Sequence, residues 1–184
     1  MQSVVERRPS SKRPVHKKRR TGRYVFPTTK LVGQAMERNM NDVWSWLLND
    51  EVSCIGIYEM VGVGKTTLAA HIHNQLQDKP DIFFHVCWIT MSQELSIADL
   101  IAEAFGLCLP KGKDVTSRAG ELWTALSVIQ NHVIILDDLW DDFHPEKVGI
   151  SRRTNGCKLI VTISHSLKKI EVDPESLLNT VEHF

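Results

Sequence analysis

The sequence lacks the features of membrane-spanning, secreted and zinc-binding proteins. Its longest apolar runs, such as the four residues Val133–Leu136, are far shorter than the roughly 20 residues that a bilayer-spanning helix needs. No apolar segment follows the basic residues at the N-terminus, so we expect no secretory signal. The four cysteines show no CxxC spacing, which predicts reduced, mostly buried thiols. These absences predict a cytoplasmic protein with no membrane span, with the nucleus as a second compartment.

Charge is unevenly distributed although the whole chain is neutral. The 184 residues include 22 basic and 22 acidic side chains, of which residues 1–23 hold nine basic and one acidic. Residues 24–184 therefore carry 13 basic (22 − 9) and 21 acidic (22 − 1) residues, a net charge of −8. The N-terminal stretch cannot bury enough apolar surface to offset its ordering entropy, so we expect a disordered basic arm. A solvated linker, a nuclear-import signal and a nucleic-acid-binding tail are all compatible with it.

From residue 51 onward the hydrophobic pattern changes period several times. Short, almost wholly apolar runs predict buried strands at Cys54–Tyr58, His85–Thr90, Val133–Asp138 and Lys158–Ile163. The segment IEVDPES at 170–176 looks like the start of a further strand. Apolar residues at helical spacing predict amphipathic helices at Lys65–Gln77, Ile97–Phe105 and Ala119–Ile129. This alternation predicts an α/β fold with helices on both faces of a mostly parallel sheet.

The most informative segment joins the first predicted strand to the first predicted helix. It reads IYEMVGVGKTTLA over Ile57–Ala69, and GxGKT between a strand and a helix is typical of a phosphate-binding loop. Gly62 and Gly64 permit a tight turn whose N–H groups point at phosphate oxygens, beside the positive end of the helix dipole. Lys65 is expected to reach the β- and γ-phosphates, and Thr66 to offer its hydroxyl to Mg²⁺.

One position of this loop departs from the full motif. G-x-x-x-x-G-K-[ST] begins with a glycine, and this chain has Glu59 there. Like unit charges about 6 Å apart, at an effective dielectric of about 20, repel by about 2.8 kcal/mol. We therefore expect Glu59 to weaken nucleotide binding by up to about a hundredfold, and by less if its side chain turns outward.

The other half of the site is predicted at the end of a later strand. Asp137 and Asp138 end the apolar run VIIL about 70 residues after the loop, at the sheet edge where open α/β folds bind ligands. Asp137 is expected to hold Mg²⁺, usually through water. Asp138 is the candidate catalytic residue, which would orient or activate the attacking water.

With both motifs placed, the chain resembles the plant coiled-coil-type NB-ARC leucine-rich-repeat disease-resistance proteins. The similarity runs from about Phe26 to about Val172 through FPTTKLVGQAMERNMNDVWSWL, IGIYEMVGVGKTTLAAHIHNQL, FFHVCWITMSQELSI, VIILDDLW and GCKLIVTIS. The resemblance implies a P-loop NTPase of the STAND class, a three-layer sandwich that is incomplete at the C-terminus here. Such switch ATPases hold ADP in the off state and exchange it for ATP when triggered.

The resemblance also implies contacts that the residues alone do not predict. Val32 and Gly33 are expected at the adenine end, and Thr67 beside Lys65 at the phosphates. The full set implied for ADP or ATP is Val32, Gly33, Gly62, Val63, Gly64, Lys65, Thr66 and Thr67, with Thr66 and Asp137 for Mg²⁺. The family's fourth strand usually ends Thr-Thr-Arg, and its arginine senses the γ-phosphate. Ser164 occupies that place here, so we expect at most a weak P-loop ATPase.

The sequence thus predicts three segments and leaves three functional interpretations. The segments are the arm 1–23, a linker and helix over 24–50, and a truncated NB-ARC nucleotide-binding domain over 51–184. The first interpretation is an ADP- or ATP-binding switch fragment of a plant defence protein. The second is a degenerate interaction module that keeps the fold without the nucleotide and binds full-length resistance proteins. The third is a nucleic-acid-binding protein led by its basic arm.

Overall fold

The computed structural model describes residues 24–30, 34–59, 64–91, 96–110, 114–139, 143–151, 155–164 and 178–181. The predicted arm 1–23 and the predicted strand start at 170–176 lie outside these residues. None of the helices in the described ranges combines the length and the apolar character that crossing a bilayer would require.

Helices and strands alternate along the chain. They are α1 (Gln34–Leu48), β1 (Cys54–Glu59), α2 (Lys65–Gln77), β2 (His85–Thr90), α3 (Ile97–Ala104), α4 (Val115–Leu126), β3 (His132–Leu139), a 3₁₀ turn (Pro145–Val148), β4 (Lys158–Ser164) and β5 (Leu178–Val181). The sheet order is β2-β3-β4-β1-β5, and each described pair is parallel. The predicted parallel α/β architecture is therefore confirmed.

Local sequence signals explain most of these boundaries. The predicted bounds of α2 and β2 are confirmed, and α3 stops where Gly106 adopts a left-handed backbone with φ 67°. The prediction for α4 was wrong by several residues, because the helix starts at Val115 and ends at Leu126. The Asp114 side chain caps its N-terminus by accepting from the Ser117 N–H at 3.0 Å. The first turn faces solvent, so it adds no apolar periodicity to the sequence.

The core consists of two apolar layers, one on each face of the sheet. Ile55, Ile57 and Ile135 pack with α1 and α2, whereas Ile134 and Leu136 pack with α3 and α4. Alternate residues of one strand thus enter different layers, which explains why the strands read as continuous apolar runs. The arrangement confirms the predicted three-layer sandwich.

The cysteines behave largely as predicted. All four are free; Cys54, Cys87 and Cys157 are buried and Cys108 is exposed. Burial raises the pKa of the Cys157 thiol to about 12. Because the thiolate is the reactive form, this thiol is chemically quiet near neutral pH.

The segment before α1 packs against α2 through a paired contact. The Phe26 N–H donates to Asn74 Oδ1, and Asn74 Nδ2 donates to the Phe26 carbonyl, both at 2.9 Å. The Phe26 ring lies 4.9 Å from the His73 ring and 4.5 Å from the Trp88 ring between centroids. Phe26 thus attaches the segment before α1 to α2, the helix that follows the predicted phosphate-binding loop.

Two buried histidines predict a loss of stability in mild acid. His73 and His132 are 3% and 1% exposed, and burial lowers the pKa of each below its ordinary value of 6.5. In the folded chain both therefore favour the neutral form. The unfolded chain binds more protons below pH 6.5, so the free energy of unfolding is expected to fall as pH drops from 7 to 5.5. The slope is at most about 1.4 kcal/mol per pH unit for each histidine.

Urea unfolding at several pH values checks this expectation. In the variant His132→Leu, the free energy of unfolding should depend less steeply on pH, by the contribution of one histidine. The variant His144→Leu is the matched control, since it makes the same substitution at an exposed position. An unaltered slope in His132→Leu would show that this ring does not titrate in the expected range.

Candidate functional site

The carboxyl ends of three strands bring the predicted motifs to one edge of the sheet. The predicted phosphate-binding loop follows β1 in the sequence, the two acidic residues lie in the last part of β3, and β4 lies between these strands. In open α/β sheets, ligands bind outside the carboxyl ends of the strands where the strand order changes direction. The candidate site is therefore this edge around β4.

Helix α2 begins at the predicted phosphate-binding loop. Its N-cap is Gly64, at φ 101° and ψ 16°, a left-handed conformation that glycine adopts without the strain of a side chain. Gly64 cannot cap the first N–H groups of α2 with a side chain, so these donors and the positive end of the dipole suit an anion. Lys65 begins the helix and is only 7% exposed. Thr67 lies two residues after Lys65 in the first turn of α2 and is half-buried.

Residues from the two predicted motifs lie in contact where the sequence predicts Mg²⁺. Thr66 Oγ1 donates to Asp137 Oδ1 at 3.1 Å, across 71 residues of sequence. Thr162 Oγ1 donates to the same carboxylate oxygen at 2.6 Å. Asp137 is 5% exposed and Thr162 is 1% exposed. The structure therefore brings Thr66 and Asp137 together.

A β-bulge shapes the backbone at the two acidic residues. Leu136 pairs with Val161 and Leu139 pairs with Ile163, so both Asp137 and Asp138 stand opposite Thr162. Asp138 has φ 65°, a left-handed backbone that Asp tolerates better than most residues. Its N–H donates to Thr162 Oγ1 at 2.9 Å. Bulges beside active sites commonly change the direction in which a side chain points.

The donor atoms suit Mg²⁺. This ion prefers oxygen ligands and usually takes one or two from the protein, with phosphates and waters supplying the others. The Asp137 carboxylate and the Thr66 hydroxyl form such a pair, already in contact. The described ranges contain no group of three or more His, Cys, Asp or Glu residues that could hold a metal. A Mg²⁺ ion held by Thr66 and Asp137 would take its remaining ligands from waters or from a bound phosphate.

Several predicted site residues lie outside what the structure describes. Val32, Gly33, Gly62 and Val63 fall in undescribed segments. The backbones of Glu59 and Ser164 are described and are register partners at the ends of β1 and β4, whereas their side chains are not. The acidic substitution and the lost arginine thus stand on neighbouring strands at the same edge.

Sequence reasoning missed Thr162 as a participant in the site. Thr162 lies in the segment GCKLIVTIS, whose resemblance to the family concerns Ser164 and the arginine it replaces. The available signal was a polar residue within the otherwise apolar run LIVTI. A buried hydroxyl needs a hydrogen-bond partner, and the sequence does not reveal that this partner is Asp137.

Comparison with known proteins gives a consistent family match. The NB-ARC domain model matches residues 36–173, which is well over half of the chain. A probable disease resistance protein of Arabidopsis thaliana is 35% identical over 143 residues, covering 74% of this chain and 16% of that protein. The Arabidopsis disease resistance proteins UNI (35% identity) and SUMM2 (33%) match over 74% and 75% of this chain and 16% of their own lengths. The chain thus spans about a sixth of the length of the curated relatives it matches.

Two solved structures share the fold. Cdc6p from Pyrobaculum aerophilum superposes with a TM-score of 0.57 at 16% identity, covering 82% of this chain and 44% of that one. The ADP form of the Aeropyrum pernix ORC2 protein gives 0.50 at 18% identity, with 85% and 49% covered. At such identities the similarity shows the fold alone.

Proposed function

Because this chain belongs to the NB-ARC domain family, as its motifs predicted, we propose that it is the nucleotide-binding part of a plant disease-resistance protein. Its ligand is ADP or ATP with Mg²⁺, held at the carboxyl edge of the sheet. The observation that carries the proposal is the 3.1 Å hydrogen bond between Thr66 and Asp137. The hydroxyl group and the carboxylate group that P-loop proteins use for Mg²⁺ are in contact here, although they are distant in sequence.

Each proposed residue has a definite role in this site. Lys65 and the first N–H groups of α2 bind the phosphates, and Thr66 and Asp137 bind Mg²⁺, which would neutralise phosphate charge. Asp138 is the candidate for orienting a water near the γ-phosphate. The remaining proposed nucleotide contacts are Val32, Gly33, Gly62, Val63, Gly64 and Thr67.

We also propose that the site acts as a switch with little turnover. Ser164 carries no charge to place on a γ-phosphate, whereas arginine would stabilise the transition state. Hydrolysis is therefore slow, and the bound nucleotide reports the state of the protein.

The proposed units of the chain are the arm 1–23, the linker and helix 24–50, and the domain 51–184. Their setting is the cytoplasm or the nucleus, and full-length resistance proteins are the proposed protein partners.

Calorimetric titration tests nucleotide binding directly. ADP with Mg²⁺ is expected to give a saturable heat at submillimolar ADP. The same titration in EDTA should show weaker binding, because Thr66 and Asp137 then have no Mg²⁺ ion through which to hold the phosphates. Absence of heat at millimolar ADP, from a chain shown to be folded by circular dichroism, would reject the proposal. The chain would then be an interaction module that keeps the fold without the nucleotide.

A further inference from the structure

The bulge at the end of β3 places one buried hydroxyl between both acidic residues. We propose that Thr162 is a positioning residue for Mg²⁺ binding, acting on Asp137 through its hydroxyl and on the backbone of Asp138. The inference deepens the proposed function and rests on it. Thr162 itself touches neither nucleotide nor metal in this proposal.

Hydrogen-bond chemistry fixes the direction of the contacts around Thr162. An N–H can only donate, so the Thr162 oxygen accepts from Asp138 N at 2.9 Å. The single hydroxyl hydrogen is then free to donate to Asp137 Oδ1 at 2.6 Å. Because Thr162 is 1% exposed, bulk water does not compete for either bond. One side chain therefore sets the position of a carboxylate oxygen and of the adjacent backbone.

The bulge explains why a hydroxyl is needed at this point. Two residues of β3 stand opposite one residue of β4, so the regular ladder is interrupted there and a backbone N–H is left for another acceptor. Thr162 provides that acceptor for Asp138. Valine would fill the same space in the strand but would leave the N–H without this partner.

Thr162 can also hold Asp137 in place when the site is loaded. Thr66 and Asp137 are the proposed Mg²⁺ ligands, so the ion would interact with both partners of their hydrogen bond. Thr66 is exposed at the site, whereas Thr162 lies beneath it. The Thr162 bond can therefore persist with the ion bound and keep the carboxylate oriented. Partners of metal ligands typically contribute 10- to 100-fold to metal affinity.

The test compares Thr162→Val and Thr162→Ser in the full chain. ADP affinity is measured by calorimetry with Mg²⁺ and with EDTA. We expect Thr162→Val to lose about 10- to 100-fold in Mg²⁺-supported affinity, while its affinity in EDTA stays close to that of the wild type. Thr162→Ser keeps the hydroxyl and should restore most of the Mg²⁺ effect. Thr124→Val, which changes an exposed threonine of α4, is the matched control and should alter neither value.

A second readout separates this inference from the proposed function. Amide hydrogen exchange at Asp138 should accelerate in Thr162→Val and remain slow in Thr162→Ser, whether or not nucleotide binds. If the wild type binds ADP and Thr162→Val keeps the full Mg²⁺ effect, the positioning role is wrong and the proposed function stands. If the wild type binds no ADP, both fail as statements about Mg²⁺, and the exchange rates then show only whether the hydrogen bond exists.

Discussion

Replacing Lys65 with alanine is expected to abolish the binding of ADP with Mg²⁺. The lysine begins α2 and is 7% exposed. Because little water surrounds this residue, its interaction with a phosphate is expected to be strong. Removing one member of such a buried pair typically costs about 3–5 kcal/mol. That corresponds to a loss of at least about a hundredfold in affinity. Calorimetry with Mg²⁺ present measures it.

The control for this experiment is Lys147→Ala. Lys147 is exposed in the 3₁₀ turn at residues 145–148, so the variant removes an equal charge from a residue that is not part of the proposed site. It should bind ADP as the wild type does. Both variants should be checked by thermal unfolding, because Lys65 is buried. A folded Lys65→Ala variant that bound ADP within threefold of the wild type would contradict the proposed phosphate site.

Replacing Glu59 with glycine is expected to do the opposite and tighten ADP binding. The backbone of Glu59 ends β1 beside Ser164, immediately before the phosphate-binding loop. Its negative charge opposes that of the phosphates by up to about 2.8 kcal/mol at 6 Å and a dielectric of about 20. The gain is therefore up to about a hundredfold at low salt, and it should shrink as salt screens the charges.

Two further variants separate charge from shape at this position. Glu59→Gln removes the charge and keeps the side chain, so it should recover the salt-sensitive part of the gain. Glu51→Gln removes the same charge from an exposed residue ahead of β1, at the far end of the strand, and should change little. If Glu59→Gly left the affinity unaltered at every salt concentration, electrostatic opposition from Glu59 would be ruled out.

The fold was largely predictable because its strands are covered on both faces. Burial on two sides makes the central strands β3 and β4 almost continuously apolar, and the glycines of the sequence before α2 mark where that helix begins. The start of α4 was not predictable from periodicity, since its first turn is exposed and only the Asp114 cap marks it. Boundaries therefore failed where the apolar pattern carried no information.

The candidate site was predictable to the level of motifs but not of contacts. A parallel sheet with a loop after one strand and acidic residues after another implies that Thr66 and Asp137 share an edge. The bulge at Asp138 and the contacts of Thr162 could not be predicted from the sequence and are visible only in the structure. The residues next to a threonine in an apolar strand do not indicate which distant residue its hydroxyl will hydrogen-bond. A one-residue shift in the pairing of two strands does not change the amino-acid composition of either strand.

The insertion of β4 between β1 and β3 governs when the site can appear during folding. Synthesis delivers β1, α2 and β3 before β4, and β1 and β3 have no direct pairing to hold them together. Closing the sheet therefore waits for a late strand and for contacts between residues far apart in sequence, which is a slow kind of event. A nascent chain that has not yet paired β4 has both predicted motifs but not the proposed site, so nucleotide binding at that site should appear only once the central sheet is complete.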